Sequence, residues 1–354
     1  MTTKFSTLSL AGVICGLALA AGSETALASD PVGSSKAADQ AFLTLGVDND
    51  FFEFANLDQH YTNGLKASWL SAPRDDLPAW LTDAIAPPTL SSGAVSATSH
   101  RLGVSLSQEI FTPADTTVSA PQPDDRPYAA WLHMTFALVS IREAGTEESW
   151  QDKWKVDLGV VGPAALGEQV QNGWHRFIGV EQAKGWGNQI HNEPALGLTF
   201  ERAWRSASLT TPAVLGFDTD FIPYGVVTVG NVRTYAGVGA TLRIGPSLPD
   251  DFGPTGIYPD DGGSEWFSGS GGLDWYLFAG ASMRGVARDI FLDGNTFRSS
   301  ASIDKRPVVA DLKAGFVAVV WDTRIAFTDV YRTKEFYGQV KPDLFGSISL
   351  TRAF

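Results

Sequence analysis

The sequence predicts an all-β protein, a transmembrane antiparallel β-barrel of about twelve strands, and three observations carry that expectation. Apolar and polar residues alternate in short runs along nearly the whole chain, which is the period of strands with two unlike faces. After the N-terminal leader no stretch holds the roughly 18 uninterrupted apolar residues of a helical span, whereas a barrel strand needs only about ten alternating ones. The chain also ends in "ISLTRAF", an alternating strand closed by the aromatic Phe354, as outer-membrane barrels commonly end. A soluble periplasmic β-sandwich would share the alternation but not the terminal aromatic or strands of this length.

The first segment, "MTTKFSTLSLAGVICGLALAAGSETALASD", has a single lysine, an apolar run from Leu8 to Ala21 and the small-x-small triplet Ala26-Leu27-Ala28. These mark a cleaved export signal over residues 1–28, leaving residues 29–354 as one barrel domain. The apolar run is shorter than the roughly 20 residues of a membrane anchor. Cys15, the only cysteine, falls inside the signal, so the mature chain has no thiol, disulfide or cysteine metal site. Lys4 and Glu24 cancel, and the formal charge of -13 stays with the mature chain. That balance opposes nucleic-acid binding, which needs basic patches, and is compatible with divalent cations.

Strands are expected in order at "AFLTLGVDN", "YTNGLKASWLS", "HRLGVSLSQEIF", "AWLHMTFALVSI" and "KWKVDLGVVG". After an interruption they resume at "ALGLTFERAWR", "AVLGFDTDFIPYG", "RTYAGVGATLRIG", "DWYLFAGASMRGVA", "VVADLKAGFVAVVWD", "RIAFTDVYR" and "DLFGSISLTRAF". Connections such as "SAPRDDLPAW", "TPADTTVSAPQPDDRP" and "GPSLPDDFGPTGIYPDDGGSEW" are rich in Pro, Gly and Asp, and long ones are expected to alternate with short ones. Trp69, Trp131, Trp204 and Trp275 lie near strand ends, where interfacial aromatic girdles would sit. The interruption, "VVGPAALGEQVQNGWHRFIGVE", changes period: Pro163 stands at a helix start, Glu168 and Gln171 follow, and Ala165, Val170, Trp174 and Phe177 are apolar. It predicts short helices between strands 5 and 6 that either plug the lumen or lie against a rim.

Polar residues concentrate in three places. In "GVDNDFFEF", alternation sets Asp48 and Asp50 on one face and Asn49 on the other unless a bulge re-aims them, and hard oxygens at this density suit calcium or simple solvation. In "DQHYTNGLKASW", His60 is either a base or ligand or a solvated residue near a turn, and Thr62 and Asn63 precede Gly64. In the interrupting segment His175 stands alone, with Glu181 beyond Gly179 in a loop. The chain lacks a Gly-x-Ser-x-Gly elbow, a His-Glu-x-x-His helix, a phosphate loop and a cysteine nucleophile. A base that activates water beside a metal is what this inventory still permits.

"VDNDFF", "HYTNG", "QEIFTP", "DRPYAAWL", "GVVGPAALGEQVQNGWHRFIG" and "GWGNQIHNEP", in this order, resemble the outer-membrane lipid A 3'-O-deacylase family. The distinctive motifs cover the first strand to about Glu201, and "GPAALGEQVQNGWH" is the most specific of them. The resemblance implies a twelve-stranded barrel in the bacterial outer membrane, with a site between wall and short helices toward the outer leaflet. It implies calcium-dependent hydrolysis of the 3'-linked acyloxyacyl ester of lipid A in lipopolysaccharide, by a protein expected to be monomeric. Carried over, His175 is the base that activates water, Asn49 and Thr62 are catalytic neighbours, and Asp50 and Glu181 are the calcium ligands. The family places a lysine in the loop after the "QEIFTP"-like motif, but residues 113–125 contain none. Arg126 is the nearest cation there: either it holds phosphate or oxyanion in the lysine's place, or this protein has a different substrate or weaker activity. A broader outer-membrane phospholipase and a non-enzymatic barrel plugged by the helix are the competing readings.

Overall fold

A computed structural model describes residues 39–50, 60–84, 97–144, 148–206, 216–258, 261–268 and 271–354. The expected export signal lies outside the described residues. Twelve antiparallel strands follow in order: β1 Phe42–Asn49, β2 His60–Leu70, β3 Ala97–Thr112, β4 Ala129–Ala144, β5 Glu148–Val161 and β6 Glu193–Ser206. The second half is β7 Asp218–Gly230, β8 Arg233–Gly245, β9 Leu273–Asp289, β10 Val308–Val320, β11 Thr323–Arg332 and β12 Asp343–Ala353. Each strand pairs with its sequence neighbours, and β1 pairs with β12 to close the barrel. Phe354 and Ala41 exchange backbone hydrogen bonds of 3.0 and 3.1 Å, which carries the closure to the last residue.

The alternation has the sense of a membrane barrel, polar inside and apolar outside. On β1 Thr44 and Asp48 are buried while Leu43 and Leu45 are exposed. On β2 Lys66 and Ser68 are buried between exposed Leu65 and Trp69. Trp69, Trp204 and Trp275 face outward, the last packed against Phe217 and Phe316. Trp131 departs from the girdle expectation. It points into the lumen and stacks on His133 at 3.7 Å, because strand position alone leaves the phase of the alternation open.

The lumen is filled, and by an element the sequence marks only as a loop. Residues 246–258 and 261–268, between β8 and β9, turn inward, burying Phe252, Tyr258, Trp266 and Phe267 inside the barrel. Wall and loop are locked by ion pairs. Asp251 of the loop pairs with Arg243 and with Arg324, and Lys66 reaches Glu265 at 2.7 Å. On the wall, Asp311 takes Arg284 at 2.7 Å and Arg332 at 2.8 Å. Among the described residues the interior holds cavities of about 60, 40 and 30 Å³, room for a few waters. Long connections also stand at both ends, 246–272 at the end of the chain termini and 162–192 at the other, so they do not alternate cleanly with short ones.

Among the described residues three short helices accompany the strands: α1 Ala79–Ala84, α2 Gly167–Ile178 and α3 Ile290–Asp293. A 3-10 turn over Pro163–Ala165 precedes α2, as Pro163 foreshadows. Gly173 does not break α2, and Gly179, in the left-handed region at φ 75°, ends it. The helix is no plug. It lies on the outer side of the wall against β3 and β4.

Candidate active site

A small second core forms outside the barrel, at the end opposite the termini. Ile110 of β3 and Ala130 of β4 pack with Tyr128, Ala165, Ala183 and Trp186 beneath α2. Gln108, on the same outward face as Ile110, donates from Nε2 to the Ala165 carbonyl at 2.6 Å and pins the turn before the helix. Gly167 starts α2 at the tightest point, where a Cβ would stand 2.5 Å from Ala130 Cβ and 2.6 Å from the Trp186 ring. A Gly167→Val variant therefore pushes α2 off the wall. Limited proteolysis between residues 162 and 192 should then be faster than in the wild type while the barrel's heat-modifiable migration in gels persists. Protection equal to the wild type would show that Ala130 and Trp186 yield to the added side chain.

α2 is amphipathic in an inverted sense. The face toward the wall carries Gln171, Asn172 and His175, all buried, while Trp174, Phe177 and Ile178 are exposed. Gln171 accepts from Trp186 Nε1 at 2.8 Å, and Asn172 exchanges hydrogen bonds of 3.0 and 2.8 Å with the backbone of Ala183. The loop after the helix is thus laced back onto it. His175, 7% exposed, contacts the Glu181 carbonyl through Nδ1 at 2.6 Å. A carbonyl only accepts, so Nδ1 carries the proton and Nε2 is the basic nitrogen of the neutral ring.

The wall contributes from β1 and β2. Asn49 is the last residue of β1 and lies on its outward face, donating from Nδ2 to the Thr62 carbonyl at 3.2 Å. A bulge between Tyr61 and Asn63 makes Thr62 the extra residue of β2, and its hydroxyl meets that of Thr112 at 2.8 Å. The bulge turns Thr62 outward with Thr112 while Tyr61 stays inside, donating to Asp48 at 2.9 Å. Asp48 therefore belongs to the lumen and does not share a site with Asn49. Asp50 follows directly after β1 and is buried.

Glu181 and Arg126 are placed differently from expectation. The Glu181 carboxylate is 61% exposed and pairs with Lys184 at 2.6 Å, so its link to His175 runs through the backbone. Among the described residues no three carboxylates or histidines converge as a metal cluster. Asn49, Asp50 and Thr62 are hard oxygen donors that suit Ca²⁺, whereas Glu181 would have to exchange Lys184 for it. Arg126 is wholly buried, bonded to Glu335 at 3.1 Å and set over the Phe111 ring at 4.7 Å. Burial would raise the Glu335 carboxyl, but Arg332, Arg126 and Arg284 hold it down, to about 2. A guanidinium enclosed and paired in this way balances a carboxylate, and its burial gives no support to the substrate contact expected for Arg126.

Lys184 is the cation that sequence inspection of residues 113–125 passes over. Its backbone N–H donates to the Thr116 carbonyl at 2.9 Å, which brings it from the β5–β6 connection to the β3–β4 connection. His60 is likewise not a solvated turn residue. It is 3% exposed at φ 60°, with Nδ1 2.5 Å from Asp343 Oδ1, Nε2 3.7 Å from Asp125, and an edge-on contact with Phe336. It ties three connections of the site end together.

A family model described as outer membrane protein LpxR matches residues 13–354. The chain belongs to the LpxR family. LpxR from Salmonella typhimurium is similar in structure, with a TM-score of 0.65 and 23% identity over 88% of this chain and 100% of that one. The β domain of the Bordetella autotransporter BrkA aligns at a TM-score of 0.44 and 8% identity, covering 89% of this chain and 99% of that one. Among curated proteins none matches. Membership in the LpxR family agrees with the closed twelve-strand architecture and fixes the outer membrane as the location. The segments that carry the resemblance fall on the second core, the bulge at Thr62 and α2, all at one end of the barrel.

Proposed function

We propose that the protein is a lipid A deacylase that hydrolyses the 3'-linked acyloxyacyl ester at the outer leaflet, with His175 as general base. The observation that carries this reading is the inverted face of α2. A helix on the outside of a membrane barrel, with apolar residues exposed and a histidine turned to the wall, sets a base at the lipid boundary. Family membership supports it, and the aromatic residues of the β8–β9 connection packed inside the barrel fit a catalyst better than an open pore.

Nε2 of His175 takes a proton from water as the water oxygen attacks the ester carbonyl, and the same nitrogen returns it to the departing sugar alkoxide. The products are the free acyloxyacyl acid and a 3'-hydroxyl. The Nδ1 hydrogen bond to the Glu181 carbonyl fixes the tautomer and stabilises the imidazolium between those two transfers. Asn49 and Thr62 lie on the outward face at the same end of the barrel, and half-exposed Lys184 would offer positive charge to the phosphorylated sugar. Ca²⁺ held by Asp50 with the oxygens of Asn49 and Thr62 would polarise the carbonyl and stabilise the developing oxyanion.

Lipid A from cells making the wild-type protein, compared by mass spectrometry with lipid A from cells lacking it, should show loss of the 3'-acyloxyacyl mass. Unchanged lipid A with the barrel properly inserted would end this reading. Phospholipid assayed beside lipid A separates it from a broad phospholipase. Thorough chelation should abolish hydrolysis and added Ca²⁺ restore it; full activity in chelator would remove the metal.

A further inference from the structure

We infer that α2 is an interfacial helix, one flank immersed among the acyl chains of the outer leaflet and the other in the aqueous headgroup layer. At 3.6 residues per turn its side chains fall into rows. Gln171 and His175 face the wall. Val170, Trp174, Phe177 and Ile178 make one flank, and Gln169, Asn172 and Arg176 make the other. Trp174, Phe177 and Ile178 are all open, Phe177 at 71% exposure, and the Trp174 and Phe177 rings lie 5.6 Å apart. The apolar flank is therefore a continuous strip.

The contacts of the two flanks fix which of them points into the membrane. On the polar flank Asn172 exchanges hydrogen bonds with the Ala183 backbone, and Arg176 Nη1 donates to Gln182 Oε1 at 3.2 Å. The loop after the helix therefore runs along that side. From it, the Lys184 N–H and Asn188 Nδ2 donate to the Thr116 and Ser119 carbonyls of the β3–β4 connection, beyond the strand ends. The polar flank thus faces out of the membrane. On the apolar flank Val170 packs on the same second core as Leu132 of β4 and Val160 of β5, which are register partners. The next outward row down the wall is Leu106, Met134, Leu158 and Leu196, paired each to the next across β3 to β6 and all exposed. That row is lipid-facing barrel wall, and the apolar strip of α2 continues it upward.

A helix with flanks so disposed lies in the boundary, its apolar side roughly 5–10 Å into the headgroup–acyl region, a level that also suits Trp174. The occupant of the strip is acyl chain, because the strip is continuous with a surface that acyl chains already cover. His175 lies between the two flanks, so insertion sets its height where an ester joins acyl chain to headgroup. That consequence rests on the deacylase reading, whereas the insertion itself does not.

Site-directed spin labelling of the full-length barrel in vesicles of dioleoyl phosphatidylcholine and dioleoyl phosphatidylglycerol tests this. In a Cys15→Ala background each introduced cysteine is the only thiol. Labels at Trp174→Cys and Phe177→Cys should be relaxed by oxygen and shielded from a water-soluble nickel chelate, as a label at Leu106→Cys in the wall is. Labels at Gln169→Cys and Arg176→Cys should show the reverse. Nickel access on both flanks would mean that the helix stands clear of the bilayer, and oxygen preference on both that it is submerged; either result overturns the inference. Shielding of the apolar flank from both reagents would place a protein contact, such as a second copy, where acyl chains are expected, and would overturn it too. Should Trp174→Cys fail to fold, as heat-modifiable migration reports, Phe177→Cys and Ile178→Cys probe the same flank. None of these readouts uses hydrolysis, so the inference and the deacylase reading fail separately.

Discussion

His175→Ala should lower ester hydrolysis by the purified barrel by about 10² to 10⁴, the ordinary contribution of a positioned general base. The alanine variant alone would not separate a base from a structural residue, because Nδ1 also secures the loop through the Glu181 carbonyl. His175→Asn separates them. Its side-chain amide nitrogen stands where Nδ1 stands and can donate the same bond, while nothing replaces basic Nε2. Both variants should be inactive to the same degree, with wild-type heat-modifiable migration, and the asparagine variant should resist proteolysis between residues 179 and 186 as the wild type does. Activity in His175→Asn near the wild-type level would show that the ring serves only to hold the loop. Lys184→Ala, by contrast, should raise KM for lipid A with little change in kcat, since the lysine lies at the exposed rim on Glu181. A fall in kcat alone would place it in the chemistry.

The strands are legible in the sequence because their two environments differ so sharply. Lipid outside and ion pairs inside impose a two-residue period that composition cannot hide, as along Leu43-Thr44-Leu45 or Leu65-Lys66-Ala67-Ser68. The phase of that period is harder to read, which is why Trp131 was expected in a girdle and lies in the lumen. The lumen-filling loop is illegible for another reason. Its Gly, Pro and Asp residues read as turns, and its buried aromatics, Phe252, Tyr258, Trp266 and Phe267, follow no period. α2 announces itself by a change of period, yet a helix outside a membrane barrel inverts the usual sense of its faces, so Trp174 and Phe177 point outward. His175, Asn49 and Thr62 lie at one end because motifs on neighbouring strands and their connection are near in space. The surroundings of Arg126, Lys184 and His60 are hard to read from sequence because their partners, Glu335, Thr116 and Asp343, are distant in sequence or in another connection.

Asp251→Ala should be the most damaging single change to the barrel's stability. Asp251 is wholly buried and joins the inward loop to Arg243 of β8 and Arg324 of β11, so its loss strips one anion from two enclosed cations. Arg243 keeps Asp220, but the Arg324 guanidinium is left, among the described residues, with the Ser264 and Trp266 carbonyls and the Phe267 ring. Breaking a buried pair by removing one partner costs about 3 to 5 kcal/mol, and here the same loss unfastens the loop whose aromatics fill the lumen. Urea unfolding followed by heat-modifiable migration should show the destabilisation directly. Planar-bilayer recording should show a silent wild type and intermittent conductance in the variant, since the loop occupies the space a channel would use. Conductance in the wild type would contradict the filled interior. An Asp251→Ala barrel as stable and silent as the wild type would mean that packing of Phe252, Trp266 and Phe267 holds the loop without its ionic anchor. Because His175 lies outside the wall at the far end of the barrel, hydrolysis by the folded variant should persist, which separates the lumen's structural task from the chemistry on its outer rim.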